Sequence, residues 1–322
     1  AAAELRHLLG GLAADDLVIC LLSGGGSALL TAPAPPITLA DLRATTGLLL
    51  AAGANINELN AVRKHLETLK GGGLAAAAAP ARVVALVISD VLGDPLDVIA
   101  SGPCVGDTST FADAWAVIER HNLADRLPGT VAARLRAGLR GAIPETPPPG
   151  DPLFARVRTA VIANLPRAAA WAAARADALG WSPSIGNLRH EGEAREVARQ
   201  IATLATAAPA DARRCLIAGG ETTVTVRGDG IGGRNTEFAL AAAIAIAGQP
   251  GLAIASVTTD GDDGPTGAAG AVATGETVAR GRALGLDAAD YLARNDSASY
   301  FRQVGGLIVS GPTRTNVADL YF

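Results

Sequence analysis

Arg234, Asn235 and Glu237 lie between a glycine-rich turn, Gly228-Asp-Gly-Ile-Gly-Gly233, and the run Phe238–Ala247, a strong helix former. Ionic and amide side chains on a first helical turn sit beside free backbone N–H groups, a place that attracts anions. The helix dipole disfavours a cation there, so Arg234 is expected to serve a ligand. The alternative is a surface arginine paired with Glu221 or Glu237. The same turn fits G-x-G-x-x-G, and Asp260 ends a later apolar run, which together outline a dinucleotide site. Small apolar residues normally follow the third glycine of that fingerprint. Here Arg234-Asn235-Thr236-Glu237 follow, and a glycine-rich β-turn or hairpin explains the spacing equally well.

Four other polar groupings could do chemistry. Ser23-Gly24-Gly25-Gly26-Ser27 directly follows the apolar run Leu17–Leu22. Glycines admit close backbone approach, and successive N–H groups can cradle an anion. A Walker A loop is excluded because no Gly-Lys-Ser/Thr follows. Asn60, Arg63, Lys64 and Lys70 fall near one face by three-and-four spacing, and could grip phosphate or carboxylate. A solvated surface helix would carry the same face. Asp90 and Asp94 flank Gly93 after the run Val83–Ile88 and suit a hydrated Mg²⁺, although Asp94-Pro95 also makes an ordinary turn. Asp260, Asp262 and Asp263 leave another apolar run and suggest metal or hydroxyl binding; EF-hand spacing is absent.

The elements that must position these loops follow one pattern: apolar strand, loop rich in Gly, Ser, Thr or Asp, then helix. Strands are expected at Leu17–Leu22, Val83–Ile88, Thr159–Asn164, Arg214–Ile217, Thr222–Val226, Gly251–Thr259 and Gly306–Ser310. Helices are expected at Glu4–Leu12, Thr38–Gly53 with Thr38 as N-cap, Ile56–Leu69 and Ser109 or Thr110 to His121. Others are expected at Thr130–Leu139, Pro166–Leu179, Glu191–Ala207, Phe238–Ala247 and Ala271–Leu284. The segment 143–152 holds five prolines in ten residues and reads as an interdomain linker. The expected fold is α/β with two domains, 1–147 and 153–322, and polar loops at strand C-terminal ends. The natural place for a site is then the cleft between the domains.

Composition bounds the partners. Apolar residues are 49% and charged ones 18% of 322 residues, so a large core is available. A net charge of −4 without a Lys/Arg block argues against nucleic acid and anionic membranes. Three dispersed cysteines fit a reducing compartment, and four scattered histidines form no ligand set. No leader pattern is visible and every apolar run breaks before bilayer length, so a cytoplasmic protein is expected. No methionine occurs, even at position 1. For a chain rich in alanine and leucine this predicts missing methionines and a truncated N-terminus; an intact mass of 32.3 kDa would refute it.

Taken together, four features resemble the glycerate 2-kinase (MOFRL) family from about Leu17 to the C-terminus. They are Leu22-Ser-Gly-Gly-Gly-Ser-Ala-Leu-Leu30; Asn60-Ala-Val-Arg-Lys-His65 with Lys70-Gly-Gly; and Ser89-Asp-Val-Leu-Gly-Asp94 with Ala100-Ser-Gly-Pro103. The fourth is Gly219-Gly-Glu-Thr-Thr-Val-Thr-Val226 with Gly232-Gly-Arg-Asn235 and Thr259-Asp-Gly-Asp-Asp-Gly-Pro-Thr-Gly267. The resemblance implies ATP- and Mg²⁺-dependent phosphorylation of D-glycerate to 2-phosphoglycerate. It implies a Rossmann-like parallel sheet in the first domain and a mixed sheet in the second, and it admits a homodimer. Arg234 would bind the glycerate carboxylate or the transferring phosphoryl group, beside Gly220, Glu221, Thr222 and Asn235. Asp90, Asp94, Asp260 or Asp263 would hold Mg²⁺ or orient the 2-hydroxyl. The Ser23–Ser27 loop with Asn60, Arg63, Lys64 and Lys70 would receive nucleotide phosphates. The family's N-terminal strand and Gly-Lys-Ala loop are not found, and Thr236 and Arg314 stand where Gln and Gly are expected. The rivals are an NAD(P)H-dependent hydroxypyruvate reductase using Gly228–Gly233, and a sugar-acid-binding regulator without turnover.

Overall fold

The computed structural model of the chain describes residues 2–207 and 213–322. It divides into two units: Ala1–Ile88 with Asp94–Ile162, and Ser89–Gly93 with Ala163–Phe322.

In the first unit, β1 (Leu17–Leu22), β2 (Arg82–Ile88) and β3 (Val157–Ala163) form a sheet in that order. β1 runs parallel to β2, with Leu17 opposite Arg82 and Leu22 opposite Val87. Val18, Cys20 and Leu22 point to a core of Leu69, Leu74, Val83, Ala85 and Cys104. The alternate residues Leu17, Ile19 and Leu21 are exposed. A helical layer of Leu39–Ala51, Ile56–Leu66, Phe111–Arg120 and Gly129–Leu139 closes on Leu49, Val62, Ile118 and Leu135. Its first three helices begin with capping boxes at Thr38, Asn55 and Thr110, each closed by an acidic residue three positions on. Phe111 lies flat against Gly138, where a Cβ would come within 2.1 Å of its ring.

The proline-rich segment 143–152 is stitched into this first unit. Phe111 N donates to Glu145 Oε2 (2.9 Å), Thr146 Oγ1 donates to Asp107 Oδ2 (2.9 Å), and Asp107 N donates to Pro147 O (2.9 Å). The strand expected to open the second domain is β3, which joins the first sheet instead.

The second unit holds β4 (Ser182–Ile185), β5 (His190–Glu193), β6 (Arg214–Thr223), β7 (Ala253–Thr258), β8 (Gly270–Thr274), β9 (Leu307–Ile308) and β10 (Asp319–Tyr321). The order is β4-β6-β10-β7-β8-β9, with β5 also on β6. β4 and β5 run parallel to β6; β10 is antiparallel to both β6 and β7; β7, β8 and β9 are antiparallel. The sheet is therefore mixed, as expected. The helix Arg234–Ala245 is buried from Asn235 through Ala243, and its alanines let it pack closely on the helix Ala194–Thr206.

Three expectations change here. The two strands expected around Gly219-Gly220 are one, β6, which passes through both glycines without turning. A Cβ at Gly219 would lie 2.6 Å from Asp319 O, and one at Gly220 would lie 2.0 Å from His190 O, so these glycines admit β10 and β5. The helix expected over Ala271–Leu284 starts as β8 and is helical over Thr277–Ala283. The helix expected over Glu191–Ala207 starts at Ala194, because His190–Glu193 pairs with β6. Among the described residues no helix is long and apolar enough to cross a membrane.

Candidate functional site

Arg234 occupies the first position of its helix, after Gly233. Its Nε donates to Asp319 Oδ2 at 2.6 Å and its Nη2 to Asp319 Oδ1 at 2.9 Å. Nη1 lies 3.6 Å from Glu221 Oε1. Asp319 is fully buried on β10, whereas the Arg234 side chain keeps 30% of its surface. Burial pulls the guanidinium down, but Asp319 and then Glu221 outweigh it and hold Arg234 above its ordinary range. Sequence reasoning named Glu221 as a partner and missed Asp319. The available signal was a single carboxylate inside the apolar stretch Val317–Phe322, which a buried strand tolerates only with a partner.

Glu221 projects half-exposed from β6, and burial pushes its carboxyl above the usual range. Arg234 opposes that shift, while Asp319, Asp90 and Glu191 add to it. Asp90 is raised in the same direction, again chiefly by burial. The second unit thus gathers Arg234, Glu221, Asp90 and Asp319 within electrostatic reach. Thr222, next on β6, is buried.

The other polar residues around the helix start position its backbone. Asp263 Oδ1 accepts from Asn235 N (2.9 Å) and Oδ2 from Thr236 N (2.8 Å), so Asp263 caps the helix from another loop. Asn235 is buried, and its Oδ1 accepts from Ser256 Oγ at 2.6 Å. Glu237, also buried, accepts from Arg195 (2.9 and 2.6 Å) and Asn295 (2.8 Å). Asp260 Oδ1 closes a turn on Thr258 Oγ1 (2.8 Å) and Asp262 N (3.0 Å). Asp94, expected beside Asp90, falls in the first unit at φ 55°. Among the described residues no group of three or more His, Cys, Asp or Glu side chains is disposed to hold an ion.

The glycines of the apparent dinucleotide fingerprint are occupied by protein. A Cβ at Gly228 would sit 2.4 Å from Arg294 O, at Gly230 2.4 Å from Asp296 Cβ, at Gly232 2.7 Å from Asn295 O, and at Gly233 2.2 Å from Asp263 O. They make room for the 294–296 loop and the capping aspartate.

In the first unit, the loop Ser23-Gly24-Gly25-Gly26-Ser27 turns at Gly25 (φ 78°) into the short helix Gly26–Leu29. Its cationic neighbours face inward. Lys70 Nζ donates to Ser27 O (2.8 Å) and Leu30 O (2.7 Å), and lies 3.3 Å from Glu67. Arg63 Nη2 also donates to Ser27 O, at 2.5 Å. Lys64, buried, pairs with Asp107 at 3.1 Å. Lys64 and Lys70 are therefore committed to holding the loops, and neither makes a solvated cationic face. Asn60 is buried as well, and its Oδ1 accepts from Ser101 Oγ at 2.9 Å. Ser101 belongs to the Ala100–Pro103 motif quoted from the sequence, which gave it no role.

Residues 1–136 match a domain of unknown function (DUF4147), and residues 214–319 match the MOFRL family. A D-glycerate 2-kinase of Thermotoga maritima is 42% identical over 322 residues, covering 98% of this chain and 74% of that protein. A glycerate kinase of Homo sapiens is 38% identical over 369 residues, 100% of this chain and 69% of the relative. A protein of Agrobacterium vitis, provisionally named a hydroxypyruvate reductase, is 44% identical over 99% of this chain and 72% of its own. The crystal structure of the Thermotoga maritima glycerate kinase matches with a TM-score of 0.92 at 41% identity, covering 99% of this chain and 75% of that one.

Proposed function

The chain belongs to the MOFRL family of glycerate kinases, and we propose that it phosphorylates D-glycerate on its 2-hydroxyl with ATP as donor. The observation that carries this reading is the 42% identity to a D-glycerate 2-kinase across 98% of the chain. The local chemistry agrees with it. Phosphoryl transfer asks for positioning and charge neutralisation more than covalent work. Arg234 stays charged at any working pH and keeps part of its side chain exposed at a helix start, so it binds the glycerate carboxylate or the transferring phosphoryl group. Asp90, raised by burial, orients the 2-hydroxyl and accepts its proton. Asp319 fixes the angle of the guanidinium by its two-point contact, and Glu221 lies beside it at 3.6 Å.

Mg²⁺ needs only one or two carboxylates when phosphates and water complete its shell. Asp260, a carboxylate of the second unit, is a donor of the kind such an ion takes. Asp260 would hold it, and it would neutralise phosphate charge when bound. Nucleotide phosphates fall to the Ser23–Ser27 loop. D-Glycerate and the nucleotide are the partners in this reading, and the cytoplasm is the location, since three free cysteines suit a reducing compartment.

The reductase reading needs Gly228–Gly233 to take a dinucleotide, and those glycines are packed against protein. The test is a three-way assay of the purified chain: ATP consumption with D-glycerate, NADH oxidation with hydroxypyruvate, and binding without turnover. ATP-dependent formation of 2-phosphoglycerate, assigned by phosphorus NMR, is the expected result. NADH oxidation, or binding with no phosphorylated product, would replace the proposal.

A further inference from the structure

We propose that Ser101 is a positioning residue for the glycine-rich loop of the first unit, acting through Ser27 on the anion that the loop receives. The proposal rests on the kinase reading only for the identity of that anion, a nucleotide phosphate.

Ser27, Ser101 and Asn60 come from three separate elements and form one relay. Ser27 Oγ lies 2.8 Å from Ser101 Oγ, and Ser101 Oγ donates to Asn60 Oδ1 at 2.9 Å. A hydroxyl has one proton to give. That of Ser101 is spent on Asn60, so Ser27 donates its own to Ser101. At its other end, Ser27 is fixed through its carbonyl by Lys70 and Arg63. The Ser27 side chain is therefore the adjustable part of a clamped residue.

Ser101 is fully buried and reaches this place at a conformational cost. Ala100 (φ 51°), Ser101 (φ 61°) and Gly102 (φ 63°) are left-handed in succession. A residue with a Cβ is strained there. The surroundings hold the strain in place. Gly71 N donates to Ser101 O (3.0 Å) and Gly72 N to Gly102 O (2.7 Å). A Cβ on Gly26 would lie 2.8 Å from Ala100 Cβ. Strain that the neighbours overdetermine is a mark of a functional loop.

Asn60 supplies the independent sign that a ligand belongs here. It is 3% exposed, and its Nδ2 has no hydrogen-bond partner. Rotating the amide by half a turn puts Nδ2 on Ser101. Ser101 then donates to Ser27, and the Ser27 proton is released to an outside oxygen. The relay therefore runs in two directions, and an oxyanion at the loop selects the second.

The test uses the full chain and the variants Ser27→Ala, Ser101→Ala, Ser101→Gly and Ser27→Ala/Ser101→Ala. ATP and inorganic tripolyphosphate are titrated calorimetrically, and KM and kcat are measured with D-glycerate. Each single variant is expected to weaken tripolyphosphate and ATP roughly tenfold to a hundredfold, the worth of one hydrogen bond to a charged group. The loss should fall more on KM than on kcat. Ser101→Gly relieves the left-handed strain and must lose the same affinity if the hydroxyl is what matters. The double variant should bind no more weakly than Ser27→Ala alone. Additive losses, or a Ser101→Ala protein that binds like the wild type and merely melts earlier, would overturn the proposal. Coupled losses of tripolyphosphate binding in a protein that fails to phosphorylate glycerate would support the relay while removing the kinase reading.

Discussion

Arg234 and Asp319 form a two-point ion pair, Nε to Oδ2 at 2.6 Å and Nη2 to Oδ1 at 2.9 Å, across 85 residues of sequence. The arginine comes from a helix start and the aspartate from a buried strand between β6 and β7. The pair therefore aims a cation and joins two elements at once.

Replacing Arg234 with Ala leaves Asp319 buried and unpaired. We expect about 3 kcal/mol of lost stability by urea denaturation, together with a fall of orders of magnitude in kcat/KM. Arg234→Lys retains the charge but loses the fork, and should recover most of the stability and little of the activity. Full activity in Arg234→Lys would show that the two-point geometry is dispensable for turnover.

Gly230→Ala tests the apparent dinucleotide fingerprint. The new methyl would fall 2.4 Å from Asp296 Cβ and 2.6 Å from its Cα. Overpacking of this kind costs roughly 1–3 kcal/mol. The variant should melt earlier, and NADH should shift the melting temperature of neither protein. A shift in the wild type that Gly230→Ala abolishes would restore the reductase reading.

Stability should fall in acid partly through Asp107. Burial pushes this carboxyl up, but Ser109, Lys64 and Thr146 together hold it below its ordinary range. A lowered folded value means that the unfolded chain binds the proton first. The contribution is present above the unfolded value of about 3.9 and disappears as pH falls through the folded one. Urea midpoints measured downward from about pH 5 should show this slope, and Asp107→Asn should flatten it. The same variant leaves buried Lys64 with only Asp97, at 3.9 Å, and should lose about 2 kcal/mol at neutral pH.

Arg314 has φ 63°, a left-handed conformation that suits glycine. The resemblance to the family led us to expect glycine at this position, and the backbone supplies the reason. Arg314→Gly should gain up to about 1 kcal/mol, since relief of the Cβ clash is partly offset by a freer unfolded chain. A loss of stability would assign the arginine a contact that outweighs its strain.

The sequence made some of this legible and concealed the rest for physical reasons. β1, β2 and β7 declare themselves as apolar runs, and Thr38 and Thr110 as caps. β4, β5 and β10 are short, and β5 is His-Glu-Gly-Glu, without an apolar residue to mark it. Arg234 stood out because a cation at a helix start is unusual. Asp263 read as a metal ligand because a carboxylate after a strand has that appearance; its task as a cap for a helix 27 residues earlier depends on tertiary contact. Asn60 and Lys64 read as an outward face because spacing gives direction around a helix, not which side the protein covers.

The position of β10 governs how the second unit can be made. Its three residues, Asp319–Tyr321, fill the middle of the sheet, between strands synthesised long before. Until the ribosome passes residue 321, β6 and β7 wait with open facing edges and Arg234 waits without its aspartate. Nascent chains stalled upstream of that point carry two adhesive borders, and they are the species a chaperone would have to shield.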